Sequence, residues 1–183
     1  MKPDETGRGV ALPPARRLLC ALLGWLVLYS ASVTLYNVTY PVTREVMIHR
    51  MQVIPAYWIL ELTLPGVALH HGETTIRSPM LELNILRGCD GVEAWLLLVT
   101  ALLVFPMPWR RRWSGVALGT LMIWSLNILR IVTLFHIGLK KMSWFDTAHG
   151  VVWQSLIVLA AAAFVLLWSD PGRTPPAASE PTT

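Results

Sequence analysis

The sequence predicts an all-α polytopic membrane protein, with about four transmembrane helices, one further helix in the outer-face interface and a short β-hairpin. Three observations carry this. Hydrophobic residues make up 54% of the 183 and charged residues only 14%, which is not the balance of a soluble domain. Four stretches approach the roughly 20 apolar residues that a helix rising 1.5 Å per residue needs to cross a hydrocarbon core of about 30 Å. Basic residues also gather at particular ends of those stretches, as they do on the cytoplasmic side of a membrane.

Residues 1–16 read as a disordered cytoplasmic tail, and residues 17–168 as a single membrane domain. The first span, 18–36, carries no charge and follows Arg16 and Arg17. Its uncharged run is longer than a signal-peptide core, so retention is expected even though Ser30-Ala31-Ser32 follows. Residues 42–64 read as a helix lying in the outer interface or dipping partway in. The apolar run 53–69 inside that region is only 17 residues long and holds two prolines and Glu61, which argues against a crossing. Leu81, Leu83 and Ile85 then alternate with polar residues, the signature of a hairpin strand.

The second span, 91–107, runs into Arg110, Arg111 and Arg112, the strongest basic cluster in the chain. The third, 114–136, is apolar except for Asn127 and Arg130, and the fourth covers 149–168. Residues 169–183, rich in Pro, Ser and Thr, read as a second disordered cytoplasmic tail. With both arginine clusters inside, both termini are cytoplasmic and the segment between the first two spans caps the outer face.

This topology brings Cys89, Arg130 and His149 to one membrane face. Cys89 stands at the mouth of the second span, where Asp90 and Glu93 have the spacing of a capping box. A thiol beside a helix amino terminus is expected to have a lowered pKa. The bland alternative is a small buried residue. Arg130 lies five residues from the end of the third span, and an intramembrane arginine marks a functional site unless its long stem carries the charge to the interface. Asn127, one turn earlier on the same face, is placed to bond a partner or to orient the arginine. Asp146 is a candidate cap that puts His149 at the third helical position, as a neutral base.

Other candidates are weaker. His136 falls about 120° around the helix from Arg130. His70 and His71 with Glu73 have no third well-spaced metal ligand, so neither a metal nor any other cofactor is expected. The two cysteines, Cys20 and Cys89, lie in different segments and give no disulfide framework. The sequon at Asn37 is too near the membrane to weigh much. No internal repeat or broken helix pair suggests a transporter.

A nucleophile, a proton carrier and a fixed cation are the parts of acyl transfer. The stretches "CDGVEAW" from Cys89 and "NILRI" from Asn127, with a histidine opening the last span, resemble the exosortase and archaeosortase family, most closely the exosortase H group. The resemblance covers about residues 40–168. It implies a multi-pass cysteine protease or transpeptidase of the bacterial inner membrane with its site on the periplasmic face. Its partners would be exported proteins bearing a C-terminal sorting tail, made of a signature motif, a transmembrane helix and a basic cluster. An acceptor takes the cleaved product, and no nucleic acid takes part. Cys89 then occupies the nucleophile's place, and Arg130 and His149 those of the family's arginine and histidine. Larger members have more spans, so this chain would be a compact core. The readings that compete are a non-enzymatic membrane scaffold and a thiol-based acyltransferase.

Overall fold

A computed structural model describes residues 14–169. The expected tails, 1–16 and 169–183, lie almost wholly outside these residues. Helix α1 already begins at Pro14 and runs to Arg44. A π-helical segment, Glu45–Val53, and α2, Ile54–Thr63, continue it. Three short strands follow: β1 (His70–His71), β2 (Thr75–Arg77) and β3 (Glu82–Asn84). Then come α3 (Val92–Val104) and α4 (Trp109–Lys140). The last run comprises a 3-10 turn (Met142–Trp144), α5 (Phe145–Thr147), a second π-helical segment (Ala148–Trp153) and α6 (Gln154–Ser169).

Among the described residues three helical runs are long and apolar enough to cross a membrane: Leu18–Thr63, Trp109–Lys140 and Met142–Ser169. The expected first span and the expected interfacial helix are joined in one continuous helical run. The chain stays helical through Pro41, and residues 45–63 pack on the body of the protein. Ile48, Val53, Ala56 and Leu60 are buried against Ile131, Val132 and Phe135 of α4. The second expected span, 91–107, is helical over fewer residues than expected. Helix α3 has 13 residues and ends where Phe105 turns extended, ahead of Pro106, which disfavours helix in the residue before it. At about 20 Å of rise the helix alone is shorter than a hydrocarbon core. It sits at the centre, packed by α1, α4 and α6.

The hairpin proves to be a three-stranded antiparallel sheet in the order β1-β2-β3, with His71 opposite Ile76 and Ile76 opposite Leu83. The alternation at 81–85 marks its inner face, since Leu83 and Ile85 are buried beneath it. The basic cluster does not form a loop. Arg110, Arg111 and Arg112 are in the first turn of α4, and α6 closes onto that end through Trp168, whose Nε1 donates to the Arg111 carbonyl at 2.9 Å.

Two apolar clusters divide the interior. One joins α3, α4 and α6 through Leu98, Leu102, Ile123, Ile157, Ala161 and Val165. The other joins the π-helical segment, α2 and the sheet to the far half of α4. Along α4, Asn127 and Arg130 fall between Ile123 and Ile131. With Gln52 and Asp90 they form a buried polar layer between the two clusters. Polar groups taken out of water must find partners, so this layer is where the sequence has specified bonds and not only volume.

Candidate active site

Cys89 is carried by the turn Gly88-Cys89-Asp90-Gly91 between β3 and α3. Both glycines adopt positive φ, +81° at Gly88 and +74° at Gly91, a region that a side chain makes costly. The Cys89 amide donates to the Leu86 carbonyl at 3.0 Å, which closes the turn.

The capping box does not form. Gly91 occupies the N-cap position without a side-chain bond, and Asp90 acts from one residue earlier, its Oδ1 accepting the Val92 amide at 3.1 Å. The other carboxyl oxygen of Asp90 accepts the Tyr36 hydroxyl of α1. Its backbone carbonyl accepts Gln52 Nε2 at 3.2 Å, and Gln52 Oε1 in turn accepts Asn127 Nδ2 at 3.2 Å. A relay from α4 through the π-helical segment thus pins the residue next to Cys89. The expectation that Asn127 orients Arg130 is replaced by this: Asn127 holds Gln52, and Gln52 holds the turn.

Arg130 is 3% exposed and begins ten residues before the end of α4 at Lys140, about 15 Å of helix. It does not snorkel. Nη1 donates to Gln154 Oε1 and Nη2 to the His149 carbonyl, each at 3.3 Å, and the guanidinium is also within hydrogen-bonding reach of the Cys89 thiol. Its Nε is buried with no acceptor among the described residues.

His149 faces the same point. Its Nε2 is 3.0 Å from Cys89 Sγ, and Phe145 stacks on the ring with centroids 5.8 Å apart and planes 8° apart. The expected Asp146 cap is absent. The chain is already helical from Met142, Asp146 is exposed, and His149 lies inside a π-helical segment. The extra backbone residue that a π-turn inserts re-aims the side chains around it. A helix amino terminus therefore does not account for a neutral His149.

The expected lowering of the thiol pKa is also reversed. Burial pushes the Cys89 thiol above its ordinary value, and the Asp90 and Glu93 carboxylates push the same way, while Arg130 opposes them. Burial likewise raises Asp90, against the Tyr36 hydroxyl, the Val92 amide and Arg130. Burial thus works against the thiolate, and reaction through sulfur calls for a base at the position His149 holds.

The remaining candidates lie elsewhere. His136 Nδ1 contacts its own helix at the Val132 carbonyl, 2.9 Å away. Glu73 pairs with Arg44 at 2.9 Å, and His71 lies against His49 and Tyr57. Cys20 is exposed on α1. Asn37 lies within α1 and accepts a bond from Arg87 at 3.4 Å. Among the described residues no group of three or more His, Cys, Asp or Glu could hold a metal.

Sequence reasoning missed Tyr36, Gln52 and Gln154. Gln154 was the most accessible of these, a lone amide in an apolar span. Comparison with family descriptions, curated proteins and solved structures yields no match to this chain.

Proposed function

We propose that the protein is a membrane-embedded cysteine transpeptidase or protease that cleaves exported proteins near their C-terminal sorting tails. The observation that carries this reading is the contact of Cys89 Sγ with His149 Nε2 at 3.0 Å beside a buried, doubly held Arg130. Chemistry needs these three in one place: a nucleophile, a base in reach of its proton, and a fixed cation where negative charge develops.

His149 accepts the Cys89 proton, and the sulfur attacks a backbone carbonyl carbon of the substrate. The new oxyanion forms beside Arg130, whose unpartnered Nε–H supplies a donor. Such a donor in a dry site is worth roughly 3–4 kcal/mol of transition-state stabilisation. The carbon–nitrogen bond breaks, His149 returns the proton to the leaving amine, and a thioester remains on Cys89. An acceptor amine or hydroxyl, or water, attacks the thioester and releases the thiol. In that second half His149 takes the acceptor's proton and passes it to the departing Cys89 sulfur, and the raised thiol pKa fits a sulfur that is protonated by this base at rest.

In this reading α1, α3, α4 and the run Met142–Ser169 are the four crossings, α3 being shielded from lipid by the other three. The arginine end of α4 and both termini face the cytoplasm, and Cys89 opens on the periplasmic side of the inner membrane. A scaffold would turn Arg130 toward a partner helix; here Gln154 and the His149 carbonyl already engage it. The test is coexpression of a tailed exported protein with wild-type and Cys89→Ala protein. Tail loss that depends on Cys89 is expected, and tail removal unchanged in the variant refutes the reading.

A further inference from the structure

A second constellation lies where the π-helical segment Glu45–Val53 meets the sheet. His49 Nδ1 is 3.1 Å from the Gly72 carbonyl. A carbonyl only accepts, so Nδ1 carries the proton, and in the neutral ring Nε2 presents a bare lone pair. Histidines that ligate metals are commonly held in this way, one nitrogen donating to a backbone carbonyl and the other free for the ion. The His71 ring stands 5.6 Å from the His49 ring, centroid to centroid, at 42°, and the Tyr57 ring abuts it at 4.8 Å. Zinc bonded to two imidazole nitrogens at about 2.0–2.1 Å in a tetrahedral arrangement holds the ring centroids roughly 5 Å apart, close to the separation seen here. The nearby cations are engaged, Arg44 with Glu73 at 2.9 Å and Arg50 with Glu45 at 3.4 Å.

We propose that His49 and His71 form a two-imidazole site for a divalent transition-metal ion of the zinc or nickel class. No third His, Cys, Asp or Glu ligand is at hand among the described residues, so water completes the coordination. Imidazole is the ligand type these ions favour. The sequence offered His70 and His71 with Glu73; the two histidines alternate to opposite faces of β1 and Glu73 pairs with Arg44, and the fold supplies the second imidazole from 22 residues upstream. A bound ion ties β1 to the π-helical segment and so fastens the sheet onto the helical bundle.

The test is calorimetric titration of the purified full chain with zinc chloride and, separately, nickel chloride. Cys89→Ala protein serves as the parent, because Cys89 and His149 are themselves a metal-capable pair. One saturable site is expected in Cys89→Ala. Added to it, His71→Ala, an exposed change, weakens binding by at least about tenfold. His49→Asn does the same while keeping a donor for the Gly72 carbonyl. His70→Ala leaves binding unchanged. No saturable uptake by the parent, retention of affinity in His71→Ala, or an equal loss in His70→Ala overturns the proposal. The result is independent of the transpeptidase reading, since the parent variant lacks the proposed nucleophile.

Discussion

Replacing Gly91 by alanine should damage the protein more than the same change at Gly88. At both positions the backbone is left-handed, φ +74° and +81°, which costs an L-residue roughly 1–2 kcal/mol. Space separates them. A Cβ at Gly88 meets nothing within 4 Å, whereas one at Gly91 meets Asn127 Cγ at 3.0 Å and its Cβ and Oδ1 at 3.2 Å. Asn127 is fully buried and held by Gln52, so it cannot swing aside, and overpacking of this kind adds about 1–3 kcal/mol. The expected losses are roughly 2–5 kcal/mol for Gly91→Ala and 1–2 kcal/mol for Gly88→Ala. Denaturant unfolding in detergent measures both. In an Asn127→Ala background the Gly91 penalty should shrink toward the Gly88 value, because the Cγ and Oδ1 contacts are gone and only the Cβ contact at 3.2 Å remains. A Gly91→Ala loss no larger than that of Gly88→Ala refutes the close packing of Asn127 on the turn that carries Cys89.

Alkylation of Cys89 in a Cys20→Ser background should still be rising with pH where an ordinary exposed thiol has levelled off. A raised pKa keeps the thiol protonated over a wider range, and Arg130→Gln, which removes the opposing charge, should move the profile to still higher pH; a shift downward contradicts the electrostatics. Arg130→Lys keeps the charge but loses the fork that engages Gln154 and the His149 carbonyl, and Gln154→Leu leaves Nη1 without its acceptor. Losing one charge-assisted bond, at about 1.5–3 kcal/mol, should slow processing about 10-fold to 100-fold in either variant, read as initial rates of tail removal. Asp90→Asn leaves one oxygen to accept the Val92 amide, turns the Tyr36 hydroxyl from donor to acceptor and removes the carboxylate's charge assistance from both bonds, and should cost about 1–3 kcal/mol in the same unfolding assay. Tyr36→Phe, which removes a donor and leaves a carboxyl, should cost less.

The site was legible in the sequence to the extent that topology alone placed it. Arginine clusters and span lengths brought Cys89, Arg130 and His149 to one face, and they stand together. The errors came from treating segments as separate. Nothing in the sequence says that a helix continues through Pro41 into the run at Glu45, because what holds that run is the far half of α4. The cap expected at Asp146 failed for a related reason, since Met142–Trp144 already starts the helix. The thiol pKa was misjudged because a helix terminus was weighed and burial was not. Gln52, bonded to both Asp90 and Asn127, is invisible to any local pattern: its partners are 38 and 75 residues away. The sheet was half legible, the alternation at 81–85 giving β3 but not the edge pairing of His71.

The central claim is that the Cys89 sulfur carries the acyl group between cleavage and transfer. The intact mass of the purified protein, taken after brief mixing with a tailed substrate peptide, tests it most directly. A substrate-sized adduct on Cys89 that hydroxylamine removes is the expected result. Substrate turnover by Cys89→Ala protein, or an adduct on any other residue, would contradict the account.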